Sequence, residues 1–178
     1  MRIVVAGGTG FIGRVLCQRL TNGGHAVTVL TRDPEKARAT VYHAVRIVPW
    51  QGFRGPTEAL SKALSECDTV INLAGSPLAE GRWTPQTKDL LRKSREGTTT
   101  AIVSTLAKLK TRPVLLMNAS AIGFYGPRGD EELTEDAPSG DGFLASLCRE
   151  WEGAARAAER LGVRVVMPRI GVVLGRDG

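Results

Sequence analysis

The first fourteen residues, MRIVVAGGTGFIGR, constrain the chain more than any other stretch. Arg2-Ile3-Val4-Val5-Ala6 is a short β-branched apolar run, the pattern of a buried strand. It stops at Gly7-Gly8-Thr9-Gly10, after which Phe11, Ile12, Val15, Leu16 and Leu20 recur at helical spacing. The order is therefore strand, glycine turn, helix. Gly7, Gly10 and Gly13 follow a G-x-x-G-x-x-G pattern. The first glycine lets the chain leave the strand in a tight turn, the second lets a pyrophosphate approach the backbone, and the third lets the helix pack closely on the strand. Thr9, Phe11 and Ile12 complete the turn, and the helix start offers free N–H groups and a positive dipole end to an anion. Glycine-rich turns also occur without a ligand. The strand before and the helix after are the context that reads as phosphate binding.

The remaining chain repeats the alternation. Apolar runs predict strands at Ala26–Leu30, Val45–Val48, Thr69–Leu73, Pro113–Met117 and Arg164–Met167. Between them fall a glycine cap at residues 21–24, a short helical turn over Pro34–Arg38 and a helix opened by Gly55-Pro56 that runs through Ser65. A loop covers residues 74–83, and Thr84-Pro85 caps a long helix to about Lys108 that bends near Gly97. A loop rich in Gly, Pro and acid follows over residues 121–141, and then a helix over Phe143–Leu161. Continuous apolar strands alternating with helices predict an α/β fold: a Rossmann-like, doubly wound parallel sheet in three αβα layers. A ligand is expected at the carboxyl edge of the sheet, where strand order reverses.

The 178 residues suit one domain, with no repeat or linker to divide them. The net charge of +6 favours an anionic ligand, but aromatics are only 5% and are not interleaved with Lys/Arg, so nucleic-acid binding is disfavoured. The apolar runs fall short of a membrane helix, and the N-terminal one is the first strand rather than a signal peptide. Cys17, Cys67 and Cys148 are widely spaced and read as free thiols in a reducing compartment, which predicts a cytoplasmic protein. With only His25 and His43 in addition, no metal site is expected.

Several stretches carry a family resemblance: Gly7–Gly13, Asn72-Leu73-Ala74-Gly75, Ser120–Gly126, Trp151-Glu152 and Pro168–Gly175. Together they resemble the NAD-dependent epimerase/dehydratase branch of the short-chain dehydrogenase/reductase superfamily. Within it they are similar to an atypical subgroup whose members are called sugar-nucleotide epimerases or cell division inhibitors. The resemblance implies an epimerase or oxidoreductase acting on a small or nucleotide-linked substrate. It also implies that 1–178 is the NAD(P)-binding domain, since relatives continue into a substrate-covering region. Leu73, Ala74 and Gly75 would lie beside the adenine-side ribose and pyrophosphate, and Pro168 and Ile170 beside the nicotinamide end. At the end of the second strand, where NAD-binding folds carry an acid, stand Thr31 and Arg32. A hydroxyl and a guanidinium welcome a 2′-phosphate, so NADP is expected, with NAD as the alternative. Asp33 complicates this reading, because Arg32 could instead pair with it or with Glu35.

Members of the superfamily use a Tyr-x-x-x-Lys pair on one helix face and a Ser or Thr after the fifth strand. Here Phe143 and Leu147 occupy the pair's places, Ala121 that of the hydroxyl, and Ser94 a position where many relatives carry Asn. The substitutes are Tyr125 and Ser120 as catalytic candidates, with Ser120 also beside the cofactor. Asn118, Glu132, Glu135 and Asp136 are further polar residues in reach. A phenol is a poor base at neutral pH without a nearby cation, and Arg128 is the nearest in sequence. Trp151 and Glu152 read as structural; Arg169 lies in the Pro168–Ile170 segment that the resemblance puts at the nicotinamide end, with a structural ion pair as the alternative. Two functions follow: an enzyme with a non-standard active site, or a non-catalytic dinucleotide-binding regulator. The substrate and the oligomeric state are not legible.

Overall fold

The computed structural model describes residues 1–41, 43–78 and 82–175; parts of the predicted 74–83 loop and of the C-terminal Gly175–Gly178 lie outside them. Six strands form one parallel sheet in the order β3-β2-β1-β4-β5-β7. These are β1 (Arg2–Ala6), β2 (Ala26–Thr31), β3 (Arg46–Pro49), β4 (Thr69–Asn72), β5 (Leu115–Asn118) and β7 (Arg164–Val166). Strand order reverses between β1 and β4, the two strands that pair in the middle of the sheet.

Strand β1 shows why the sheet is covered on both faces. Ile3 and Val5 pack in one apolar cluster with Cys17 of α1 (Phe11–Asn22), Val27 and Val29. Val4 and Ala6 pack in another with Leu60 and Leu64 of α3 (Glu58–Ser65) and with Ile102 and Leu106 of α5 (Thr98–Lys108). Side chains alternate across a strand, so a continuous apolar run fills two cores at once. The expected α/β, three-layer arrangement is the one observed.

Several boundaries differ from the sequence reading. Pro34 opens a full helix, α2 (Pro34–Thr40), whose N-cap is Asp33. Thr57, not Gly55-Pro56, starts α3, because its side chain accepts a hydrogen bond from the Leu60 amide. The long helix of residues 85–108 consists of α4 (Pro85–Arg92), a π-helical segment Lys93–Gly97 and α5. Phe53 presses on that segment: a Cβ on Gly97 would lie 2.9 Å from the Phe53 Cβ. Strand β5 begins two residues later than Pro113, which cannot donate to a ladder. Helix α6 (Phe143–Arg156) ends early, and a 3-10 turn, Glu159–Leu161, completes the connection. The last strand of the main sheet stops at Val166, one residue short of the expected Met167. The chain leaves the main sheet after Val166, and β8 (Arg169–Ile170) pairs with β6 (Ser120–Ala121) in a separate two-stranded sheet. This ribbon continues past the carboxyl ends of β5 and β7 and carries much of the polar chemistry described below.

Candidate functional site

A cleft of about 620 Å³ opens at the carboxyl ends of β1, β2 and β4. It is lined by Gly7, Thr9 and Gly10 of the glycine turn, by Thr31, Arg32 and Lys36 at the β2 end, and by Leu73, Ala74 and Gly75 after β4. The strand-order reversal passes through its middle, the place where ligands enter open α/β sheets.

The glycine turn has little slack. Gly7 adopts φ +79°, and a Cβ there would lie 2.7 Å from the Leu73 carbonyl carbon. A Cβ on Gly13 would lie 2.2 Å from the Gly7 carbonyl oxygen. These two glycines hold the turn against both α1 and the β4 loop. Gly10 is different: it has ordinary backbone angles, and an added Cβ would meet only the Gly7 oxygen, at 3.3 Å. Its missing side chain leaves space toward the cleft.

Gly10 is also the N-cap of α1, with no side-chain cap bond and no acid in the first turn. The first amides of α1 thus keep free donors and an uncompensated positive dipole end. That chemistry fits a dinucleotide pyrophosphate. Thr9 and Gly10 line the cleft, whereas Phe11, Ile12 and Gly13 lie behind its lip: Gly13 is buried, Ile12 is exposed, and the Phe11 ring packs near Gly175.

At the β2 end the acids are already engaged. Asp33 accepts from the Lys36 amide as the cap of α2, and Glu35 pairs with Arg38. Neither is paired with Arg32, whose exposed side chain borders the cleft beside Lys36. Thr31 accepts from the Asp33 amide and stiffens the turn. Asp33 also borders this end, and the Thr31 hydroxyl donates to the Asp33 carbonyl, so the free donors here are the two cations Arg32 and Lys36, which suit a phosphate monoester.

The β4 loop is held from behind by buried amides. Asn72 donates to Asn118 at 2.7 Å and to Thr99 at 2.9 Å, and its side-chain oxygen accepts from the Ala74 amide. Trp151 donates to the same Thr99 hydroxyl. Asn118 is therefore a fully buried strut beneath the cleft. Ser94 accepts from the Ser76 amide, which ties the loop to the π-helical segment.

The catalytic candidates lie in a second cluster around the β6–β8 ribbon. Ser120 is 2% exposed and donates to Glu152 at 2.6 Å. Arg169 forms a two-pronged bond to Glu152, with Nε at 2.9 Å and Nη2 at 3.1 Å. Its Nη1 donates to the Tyr125 hydroxyl at 2.9 Å and to the Glu135 carbonyl at 2.9 Å. The guanidinium lies 3.5 Å from the Phe124 ring centroid. Burial would raise the Glu152 carboxyl, but hydrogen bonds from Arg169 and Ser120 outweigh it and hold the group below its ordinary value. The same bond to Glu152 raises the Arg169 guanidinium above its own.

The cation beside Tyr125 is thus Arg169, forty-four residues away in sequence. Arg128, the sequence candidate, instead donates from Nε to the Tyr125 backbone carbonyl. Glu132, Glu135 and Asp136 are exposed on their loop and do not join the cluster through their carboxylates. Ser120, Tyr125, Pro168 and Ile170 do not line the 620 Å³ cleft. Phe143 makes an edge contact with Trp83, 5.6 Å between centroids, under the cations of Lys88 and Arg92. Leu147 is buried. Glu152 is the residue of this cluster that sequence reasoning took as structural only, and Arg169 makes with it the ion pair that the sequence left as an alternative. The available signal was an acid on an otherwise apolar helix face and an arginine at a strand end.

Comparison with known proteins fits this arrangement. The model of the NAD dependent epimerase/dehydratase family matches residues 3–177. The chloroplastic epimerase family protein SDR39U1 homolog of Arabidopsis thaliana is 41% identical over all of this chain and 50% of its own length. Epimerase family protein YfhF of Bacillus subtilis is 37% identical over all of this chain and 57% of its own. Human epimerase family protein SDR39U1, solved with NADPH, superposes with a TM-score of 0.81 at 32% identity, over all of this chain and 56% of that one. The chain thus spans about half the length of these relatives. No helix among the described residues is long and apolar enough to cross a membrane. With the glycine turn, the sheet order and the match running through the whole fold, the chain belongs to the NAD-dependent epimerase/dehydratase family.

Proposed function

We propose that residues 1–178 form the cofactor-holding domain of an NADP(H)-dependent epimerase or oxidoreductase that acts on a small or nucleotide-linked substrate in the cytoplasm. The observation that carries this reading is the uncapped α1 N-terminus at Gly10, open to a cleft whose far end presents Arg32 and Lys36. The pyrophosphate would rest on the turn at Thr9 and Gly10, the adenosine ribose phosphate at Thr31, Arg32 and Lys36, and Leu73–Gly75 would border the chain between them. NADPH in the human relative supports NADP over NAD. A nicotinamide cofactor, when bound, supplies hydride transfer. Proton movement would fall to Tyr125, whose hydroxyl accepts a bond from Arg169 and so has a cation against its oxygen.

A second reading has its own support. Phe143 and Leu147 exchange no protons, and the Ser120 hydroxyl is committed to a buried carboxylate. A domain that binds the dinucleotide and signals by it would carry these substitutions without loss.

The test is Gly10→Val. The residue has ordinary backbone angles and a single 3.3 Å neighbour, so the fold should survive, while the added branches fill the phosphate approach. Calorimetry should show NADPH affinity reduced about a hundredfold or more, since the helix N-terminus would no longer reach the anion. Equal affinity in the folded variant would reject the phosphate site. Turnover of NADPH by the intact protein across carbonyl and sugar-nucleotide substrates separates the enzyme from the regulator.

A further inference from the structure

The buried hydroxyls of Thr31, Ser94, Thr99, Thr105 and Ser120 each bond to a neighbour. Thr99 and Thr105 do so in a way common in helices, donating to the carbonyl four residues back, at 2.8 Å in both. The two remaining buried hydroxyls, those of Thr69 and Thr98, have no partner among the described residues. Thr69 is sealed from solvent at the start of β4. Thr98, the first residue of α5, is 3% exposed and lines the 620 Å³ cleft. A buried hydroxyl without a bond costs free energy, and one that opens on a cleft is where a ligand atom can supply that bond.

Gly52 shows that the hydroxyl itself meets the cleft. It lines the cleft too, and a Cβ there would lie 3.3 Å from the Thr98 Oγ1. Its φ of +62° falls in the left-handed region that favours glycine, so the residue that turns the chain after β3 also leaves the hydroxyl uncovered. The wall around it is that turn, which brings Trp50, Gln51, Gly52 and Phe53 to the cleft and no charge. The Trp50 indole N–H is spent on the Gly55 carbonyl at 3.2 Å, and the Gln51 amide reaches the Arg32 carbonyl at 3.5 Å. The wall starts beside the cationic end, because the Trp50 backbone amide donates to the Thr31 carbonyl at 2.8 Å. An uncharged, largely apolar wall with a free hydroxyl, next to Arg32 and Lys36, suits a flat heteroaromatic ring with polar atoms on its edge.

We propose that this wall receives the nucleobase of the dinucleotide and that Thr98 is the residue that hydrogen-bonds the edge of the base. The assignment rests on the dinucleotide reading above, which places the phosphates but not the base. A hydroxyl both donates and accepts, so Thr98 can serve a ring nitrogen or an exocyclic amine. NADPH and NADH carry the same base, so Thr98 does not discriminate between them.

Calorimetry on the intact protein tests the assignment. Thr98→Val keeps the shape and removes the hydroxyl; Thr98→Ser keeps the hydroxyl; Thr98→Ala removes it again should the Val variant fail to fold. With Val, affinity for NADPH, NADH and 2′,5′-ADP should fall by a common factor of about five to ten, in line with the loss of one neutral hydrogen bond, and Ser should recover most of it. The thermal midpoint of the ligand-free Val variant should not fall, because the hydroxyl has no protein partner to lose. A lowered midpoint with unchanged affinity for all three ligands would make the hydroxyl structural and overturn the Thr98 assignment alone. Unchanged affinity in a folded Val or Ala variant with no change in midpoint also overturns it. So does a loss for NADPH and 2′,5′-ADP that spares NADH, which would put the hydroxyl on the 2′-phosphate. A wild-type protein that binds no dinucleotide overturns both this and the cofactor reading.

Discussion

The glycine cleft and the Glu152–Arg169 cluster lie along the same carboxyl edge of the sheet and are built by opposite means. The cleft is made of backbone and empty volume: glycines whose absent side chains leave room, a helix start without a cap, and a loop pinned by buried amides. The cluster is made of charge. Arg169 ties together helix α6, the 3-10 turn Ile122–Tyr125 and an acidic loop through one guanidinium. A site of the first kind fails when atoms are added and is indifferent to pH. A site of the second kind fails when a charge is removed and answers to acid.

The largest effect should come from breaking the charged region. The Glu152 and Arg169 side chains are 4% and 14% exposed, so Glu152→Gln leaves a largely desolvated guanidinium without its anion. Removing one partner of a buried pair costs about 3–5 kcal/mol, and the lower end applies here because Arg169 keeps the Tyr125 and Glu135 oxygens. Urea unfolding at neutral pH measures this. The pH dependence follows from the direction of the shift. A carboxyl held below its unfolded value stabilises the fold above that value, about 4.3 for Glu, and loses the contribution as pH falls through the lowered one. The gap between wild type and Glu152→Gln should therefore be widest near neutrality and close in acid. A gap that stays constant down to pH 3 would mean that Glu152 is not the ionised centre of the cluster. Gly10→Val in the cleft should show no such closure.

A smaller and more local change separates chemistry from architecture within the cluster. Tyr125→Phe removes one hydroxyl and leaves the Arg169–Glu152 pair intact. Stability should change by less than about 1 kcal/mol, the usual worth of one hydrogen bond. If Tyr125 passes the proton, turnover should drop at least about tenfold, a typical share for general acid–base catalysis. Unimpaired turnover would remove Tyr125 from the reaction and leave Arg169 as a purely structural tie.

The same contrast explains what the sequence disclosed. The glycine turn, the alternating strands and the β2-end Thr31-Arg32 are local patterns: each feature is set by residues within a few positions of one another. The strands came out within a few residues, and the errors fell where a side chain or a proline decides the boundary, as at Thr57 and Pro113. The cluster is assembled from residues 120, 125, 152 and 169, which no periodicity links. Arg128 was the natural candidate beside Tyr125 because it is three residues away, and it turned to the backbone instead.

The finest test of the cleft is at its adenosine end, where a side chain rather than the backbone should choose between cofactors. Asp33 borders the cleft but its carboxylate caps α2, and Glu35 pairs with Arg38, so Arg32 and Lys36 face the cleft as unpaired cations beside Thr31 among the described residues. A 2′-phosphate placed there would gain charge-assisted bonds; a 2′-hydroxyl would gain little. Arg32→Ala should therefore weaken NADPH about tenfold and leave NADH nearly unchanged, the modest size reflecting an exposed site in which Lys36 still supplies charge. Raising the salt concentration should shrink the wild-type preference, because exposed charges are screened, and should have less effect on the variant. An equal loss for both cofactors would place Arg32 on the pyrophosphate or in the fold.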